Sequence, residues 1–236
     1  MSMEVHHSHR DVTGGWLRPA VFGASDGLVS NFALVAGVAG GTTAAGAHSN
    51  AVLLAGLAGL AAGACSMAAG EYVSVASQSE LGEAEIELER IELEARPEAE
   101  LQELAETYVR RGVDPSLART VAEQMSRDPD AALDVHVREE LGIDPHDLPS
   151  PKTAAVSSFL SFTVGALIPL IPYLLGADTL WPALLVSLSA LFGIGVLVSS
   201  VTARSWWFAG LRQMVLGGAA AGVTYLVGSV VGANLG

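Results

Sequence analysis

Long stretches without charged residues constrain this chain more than any other feature. Residues 27–70 contain no Asp, Glu, Lys or Arg, residues 153–203 contain only Asp178, and residues 205–236 contain only Arg212. A helix that crosses the bilayer core of about 30 Å needs roughly 20 apolar residues. Dividing these stretches at their turn residues predicts five membrane-spanning helices, near residues 19–40, 51–77, 154–175, 181–203 and 211–234.

The net charge of the protein belongs to one block of the sequence. Residues 71–152 hold 21 of the 25 acidic residues and 8 of the 12 basic residues, so this block carries the whole formal net charge of −13. An acidic surface repels nucleic-acid phosphates. The charge pattern therefore argues against nucleic acid as a partner and favours cations.

Basic residues outside the spans predict the topology. Lys and Arg cluster at 10–18, throughout 90–152 and at 204–212, whereas the loops at 41–50 and 176–180 have none. The positive-inside rule then puts the N-terminus and the acidic block in the cytoplasm and the C-terminus outside. We predict an all-α polytopic membrane protein with four parts: a cytoplasmic tail (1–18), spans one and two (19–78), an acidic helical cytoplasmic domain (79–152), and spans three to five (153–236).

The acidic block has a helical pattern. Apolar residues recur at intervals of three and four on each side of Pro97, which predicts a helical hairpin: Leu81, Ala84, Leu88 and Ile91 before it, and Leu101, Leu104 and Tyr108 after it. Asp114-Pro115 and Asp128-Pro129 each resemble an N-cap followed by proline at the first helical position. We expect about four helices in this block.

The glutamates of the hairpin form a candidate metal site. Glu80 to Glu106 contains eleven glutamates and two arginines, and same-sign neighbours three or four residues apart destabilise a helix. Folding at Pro97 would bring several carboxylates together, and convergent carboxylates bind divalent metals. His136 and Glu140, four residues apart, would add an imidazole that favours transition metals. The alternative is a solvated acidic helix without a ligand.

Three residues near the membrane are further candidates. Asp26 lies within the first span, where a carboxylate is costly enough to be a functional candidate by default. Met67 and Glu71 lie one turn apart, and a thioether beside a carboxylate suits a borderline divalent metal. The alternatives are packing for Met67 and a boundary position for Glu71. Asp178 is interpreted as a turn residue.

The sequence shows none of the motifs of several common enzyme classes. It contains no glycine-rich phosphate loop followed by Lys-Ser/Thr, no nucleophile elbow and no paired cysteines. The Glu-x-x-His spacing occurs once, at Glu4 and His7 in the predicted tail, whereas di-iron bundles carry it on each of two helices. We therefore predict neither an enzyme nor a tightly bound cofactor.

Three segments of the sequence resemble a known family. The stretches Phe22–Gly37 and Gly56–Gln78, together with Glu139–Ile143 at the end of the acidic block, are similar to those of the vacuolar iron transporter family, particularly its bacterial branch. The resemblance implies a five-span homodimer in the bacterial plasma membrane. Such a protein exports ferrous iron or manganese from the cytosol, with protons moving the other way.

The resemblance also implies a set of ligand residues. In the acidic domain, which corresponds to the cytoplasmic metal-binding domain of the family, the ligands would be Glu89, Glu92, Glu100, Glu103, His136 and Glu140. In the membrane they would be Asp26 and Met67. Glu71 is not implied by the resemblance, and we interpret it as a replacement carboxylate near the entry to the path.

The sequence departs from the family pattern at several positions. His136 and Val137 stand where better-known relatives have a methionine pair. Gly15, Pro19 and Gly59 stand where eukaryotic relatives carry acidic residues, and Glu71 stands where some relatives have glycine. Two functions are open: a transporter, or a membrane-anchored cytoplasmic metal buffer or sensor that does not transport. The intramembrane Asp26 favours the transporter.

Overall fold

The structure is a computed structural model of the chain and describes residues 16–44, 50–202 and 204–235. Within these ranges the chain is helical and contains no strand. It divides into two compact units. We call the residues up to Tyr72 and from Lys152 onward the membrane unit, and Val73–Pro151 the acidic unit. Most of the predicted tail, residues 1–15 including Gly15, lies outside the described residues.

The helices have the following bounds. They are α1 Leu17–Ala44, α2 Asn50–Ala95, α3 Pro97–Arg110, α4 Pro115–Met125, α5 Pro129–His136, α6 Pro151–Leu167, α7 Ile171–Leu174, α8 Leu180–Thr202 and α9 Trp206–Leu235. A π-helical segment, Val137–Leu141, follows α5 directly. A 3₁₀ turn, Ile168–Leu170, joins α6 to α7.

Five helical segments within the described ranges are long and apolar enough to cross a membrane. They are α1, α2, the run from α6 to α7, α8 and α9. The predicted all-α polytopic membrane protein with five transmembrane helices is confirmed. The 46 residues of α2 rise about 69 Å, more than twice the thickness of the hydrocarbon core. Only its apolar N-terminal part therefore spans the bilayer, and Glu89 lies outside it.

Helix α1 continues past the glycine pair that was predicted to end it. The first span was expected to stop at residue 40, whereas α1 reaches Ala44. Its glycines lie directly against α9: a Cβ added at Gly228 or Gly232 would overlap backbone atoms of α1. This close packing offsets the helix-propensity cost of about 1 kcal/mol for each glycine. Residues 45–49 of the predicted loop lie outside the described residues.

Two prolines interrupt the third span. Helix α6 ends at Leu167, and Pro169 lies in the 3₁₀ turn that follows. Pro172 lies in the first turn of the short helix α7, and Gly176 ends the segment with φ +93°. Since proline lacks a backbone donor, the span changes helix type at this point and stops one turn later.

The membrane unit is held together by apolar clusters and by hydrogen bonds between helices. Leu28 and Phe32 of α1 pack with Leu191 of α8 in one of the buried clusters. Asn31 Nδ2 donates to the carbonyl of Ala166 at 2.6 Å. Thr224 Oγ1 donates to the carbonyl of Ala33, also at 2.6 Å. These bonds join α1 to α6 and α9.

The helices of the acidic unit begin where the sequence predicted. Asp114 accepts a hydrogen bond from the backbone N–H of Ser116 at 2.9 Å, and Asp128 accepts one from that of Asp130 at 3.1 Å. Each is followed by proline at the first helical position. Buried Leu104, Ala105 and Ala122 form the core between α3 and α4.

Candidate metal centre

Three ionisable side chains of the acidic unit converge in its interior. Glu89 of α2, Glu100 of α3 and His136 at the end of α5 each have a potential ligand atom within 4.8 Å of the other two. All three residues are buried, and His136 is completely inaccessible to solvent. Charged side chains are almost never buried without a partner, so this cluster needs an explanation.

The contacts around His136 do not have hydrogen-bond geometry. Its Nδ1 lies 3.1 Å from Glu89 Oε1 and 3.0 Å from Glu140 Oε1. Neither approach is aligned as a hydrogen bond, and both ring nitrogens and both oxygens are buried without a hydrogen-bond partner among the described residues. An unsatisfied buried polar group costs about 1–3 kcal/mol. A cation bound between His136 Nδ1 and the two oxygens would satisfy three of these atoms at once.

Local structure explains why these residues meet. Pro97 restarts the chain as α3 directly after α2, which brings Glu100 back toward Glu89. Helix α5 then ends at His136, whose side chain lies beside Glu89 and Glu100. The π-helical segment that follows contains Glu140. Single π-helical turns occur frequently at functional sites.

Burial and mutual repulsion hold protons on these carboxyl groups. Burial is the main cause that raises the pKa of Glu89 to about 7, and the charge of Glu140 adds to it. Burial likewise raises the pKa of Glu140 to about 7, with Glu103 and Glu100 as further causes. The pKa of Glu100 is also raised, first by burial and then by Glu103. A cation bound in the cluster would offset the repulsion between these carboxylates.

The two other predicted ligands lie at the edge of this cluster. Glu92 accepts a hydrogen bond from Arg96 at 2.9 Å on the outer surface of α2. Glu103 lies close enough to act on the pKa values of Glu100 and Glu140. The structure thus brings together Glu89, Glu100, His136 and Glu140, with Glu92 and Glu103 around them.

Contacts between the π-helical segment and the end of α3 were not predicted from the sequence. Glu139, the neighbour of Glu140 in the π-helical segment, forms an ion pair with Arg111 and lies 3.4 Å from the hydroxyl of Tyr108. These contacts tie the π-helical segment to the end of α3. No spacing rule reveals them, because a π-helix changes which residues share a face.

The predicted membrane residues belong to the membrane unit. Asp26 is exposed on α1 in the single chain, and Ser30 Oγ donates to its backbone carbonyl at 2.6 Å. Met67 packs beside the buried residues Ala64, Phe162 and Ala166. Glu71 is partly exposed on α2.

The donor set of the acidic cluster suits a divalent transition metal. Carboxylate oxygens with one imidazole nitrogen fit Mn²⁺ and Fe²⁺, because oxygen suits harder ions and imidazole adds preference for transition metals. The candidate ligand atoms of Glu89, Glu100 and His136 all lie within 4.8 Å of one another, so small side-chain movements would bring the three atoms to one ion.

The fold and this cluster define a class: a polytopic helical membrane protein with an acidic helical unit that gathers metal-ligand side chains. The family model described as "VIT family" matches residues 17–229. A protein of Acanthamoeba castellanii named "Vacuolar iron transporter" is 42% identical over 207 residues, which cover 87% of this chain and 71% of the relative. "Vacuolar iron transporter 1" of Arabidopsis thaliana is 34% identical over 233 residues, covering 96% and 90% of the two chains.

A third relative extends the agreement. "Vacuolar iron transporter 1" of Oryza sativa subsp. japonica is 33% identical over 224 residues, which cover 93% of this chain and 87% of the relative. The chain belongs to the VIT family, and the resemblance seen in the sequence is confirmed. Its placement in a bacterial branch stays a prediction.

Proposed function

We propose that this protein exports ferrous iron or manganese from the cytosol in exchange for protons. The observation that carries the proposal is the cluster of Glu89, Glu100, His136 and Glu140, in which Glu89 Oε1, Glu140 Oε1 and both ring nitrogens of His136 lack hydrogen-bond partners among the described residues. Family membership and relatives named for iron transport support it. We place the protein in a bacterial plasma membrane, with the acidic unit and the N-terminus in the cytoplasm and the C-terminus outside.

The acidic unit collects the metal in this proposal. Its block of the sequence carries the net charge of −13, and the summed field of many carboxylates raises the local concentration of cations. The cluster binds the ion through Glu89, Glu100, His136 and Glu140, with Glu92 and Glu103 completing the shell. Since carboxylates bind metal only when deprotonated, binding releases protons.

Transfer across the bilayer uses Asp26, Met67 and Glu71. Asp26 is exposed on α1 in a single chain, and a charged side chain facing lipid costs about 3 kcal/mol or more. A second copy that covers this face removes the cost, which supports a homodimer with equivalent Asp26 residues about one axis. Glu71 receives the ion, and Asp26 with Met67 forms the site from which protons displace it.

The test is metal flux into proteoliposomes with a metal-sensitive dye inside. We expect the wild-type protein to move Fe²⁺ or Mn²⁺ and to respond to a pH gradient. Asp26→Asn removes the carboxylate and should abolish flux while leaving metal binding by the acidic unit intact. Asp147→Asn, an exposed carboxylate of the loop before α6, is the charge-matched control and should transport normally.

A second variant separates collection from transport. Glu89→Gln should lower metal affinity at least tenfold in calorimetry of the full-length protein, whereas Glu87→Gln, an exposed glutamate on the same helix, should not. Tight binding with no flux in any gradient, by folded dimeric protein, contradicts the transporter and establishes the metal buffer or sensor instead.

A further inference from the structure

The membrane unit contains a cavity that the transport path does not use. Its volume is about 680 Å³, within the range of roughly 300–1,000 Å³ for small-molecule sites. Most of its lining comes from three helices, with Val52 of α2 and Tyr173 of α7 also contributing: Phe32, Ala36 and Ala39 of α1, Leu184 and Leu188 of α8, and Ala221 of α9. Asp26, Met67 and Glu71 are not among its lining residues.

The cavity is long and has two different ends. Its lining on α1 runs from Phe32 to Thr43, which is about 16 Å at 1.5 Å per residue. This length is about half of the hydrocarbon core, or one leaflet. The end at Phe32 is apolar, whereas Thr43, Asp178 and Thr179 line the other end.

Small side chains create the space. Gly222 of α9 lines the cavity, and a Cβ added there would meet no atom within 4 Å. An acyl chain that occupies this space makes van der Waals contacts with its apolar lining.

The polar end has unused hydrogen-bonding and charge capacity. Tyr173 lines the cavity and is 7% exposed, and its hydroxyl has no hydrogen-bond partner among the described residues. Asp178 is the only charged residue between 153 and 203, and no basic residue lines the cavity. The end therefore offers a carboxylate for a cation and hydroxyls for phosphate or ester oxygens.

We propose that this cavity binds a lipid of the surrounding bilayer that has a primary amine headgroup. The acyl chain lies between α1, α8 and α9, the ammonium group contacts Asp178, and the exposed hydroxyls of Thr43 and Thr179 face the phosphate. An anionic headgroup would face an uncompensated carboxylate and bind more weakly. This site is separate from the metal path, so it stands or falls independently of the proposed transport function.

The test is native mass spectrometry of the full-length protein with phosphatidylethanolamine or phosphatidylglycerol of identical acyl chains. We expect the wild-type protein to retain one phosphatidylethanolamine per chain, about tenfold more strongly than phosphatidylglycerol, as one charge-assisted contact allows. Gly222→Phe fills the cavity and should lose this lipid. Asp178→Asn should keep lipid binding but lose the headgroup preference.

Gly193→Phe is the matched control. Gly193 also lies on a membrane helix with no atom within 4 Å of an added Cβ, but it does not line the cavity. It should bind lipid as the wild-type protein does. Equal lipid retention by the wild-type protein and Gly222→Phe, which a cavity holding only water or a hydrated cation would give, overturns the proposal. Equal retention of the two headgroups by the wild-type protein also overturns it.

Discussion

The position of the His136 side chain determines where the acidic cluster forms. His136 is the centre of the acidic cluster, because its Nδ1 lies within 3.1 Å of oxygens from Glu140, four residues later, and from Glu89, which is distant in sequence. The sequence indicated His136 and Glu140 by their spacing of four residues. It did not indicate that His136 would be completely buried, because burial depends on how α5 packs.

The raised pKa values in the cluster predict a pH dependence of metal binding. Glu89 and Glu140 have pKa values of about 7 in the folded protein, mainly through burial. Protons therefore compete with metal below that pH, and we expect affinity to fall steeply from pH 7.5 to pH 6. Calorimetry in buffers of different ionisation enthalpy would show the released protons. A metal affinity that is constant over this interval contradicts the assignment of these two glutamates as ligands.

The same pKa values determine whether the stability of the metal-free protein rises or falls with pH. Since both folded pKa values lie above the ordinary value of 4.5, the folded state binds protons more tightly than the unfolded state. These groups favour folding below pH 4.5, and their contribution is lost as the pH rises through about 7. Metal should restore stability most strongly above pH 7, which thermal unfolding at pH 5 and pH 8, with and without Mn²⁺, would measure.

At the scale of elements, the π-helical segment positions Glu140. Glu139 in this segment is bound by Arg111, at the end of α3. Arg111→Ala should release the segment and weaken metal binding about tenfold, a typical effect of losing a partner that orients a ligand. The coordination spectrum of bound Mn²⁺ should change with it, because Glu140 moves while all ligands remain.

Arg119→Ala is the control for this prediction. Arg119 pairs with Glu98 and Glu123 on the exposed surface of the same unit and has no contact with the π-helical segment. It should leave affinity and spectrum unchanged. If the two arginine variants behave alike, the segment does not position Glu140.

The elements that were predicted well are those specified by local chemistry. Asp-Pro pairs set the starts of α4 and α5, Pro97 set the hairpin, and apolar length set the five spans. The continuation of α1 through Gly40 and Gly41 was missed because it depends on contact with α9. The π-helical segment was missed because periodicity rules assume 3.6 residues per turn.

At the scale of the whole molecule, the exposed Asp26 face of α1 predicts where two copies meet. Cys65 is the single cysteine, so a Cys65→Ser background allows site-directed cross-linking. Ser30→Cys, one turn from Asp26 and exposed, should form a disulfide-linked dimer in membranes. Leu226→Cys on the exposed face of α9 is the control and should not.

The cross-linking result bears directly on the transport path. A dimer band for Ser30→Cys that is no stronger than that for Leu226→Cys would mean that Asp26 does not lie at a two-fold axis. The sequence identified Asp26 by its cost in lipid, but it gave no direction for the side chain. That direction depends on which face of α1 packs against α9, and the glycines of both helices decide it.

The glycine contacts between α1 and α9 also have a mechanical consequence. At Gly37 with Gly228 and at Gly41 with Gly232, the two backbones touch without side chains between them. This close contact couples the two helices over several turns. We therefore expect a motion that opens or closes a path beside Asp26 to move α9 together with α1.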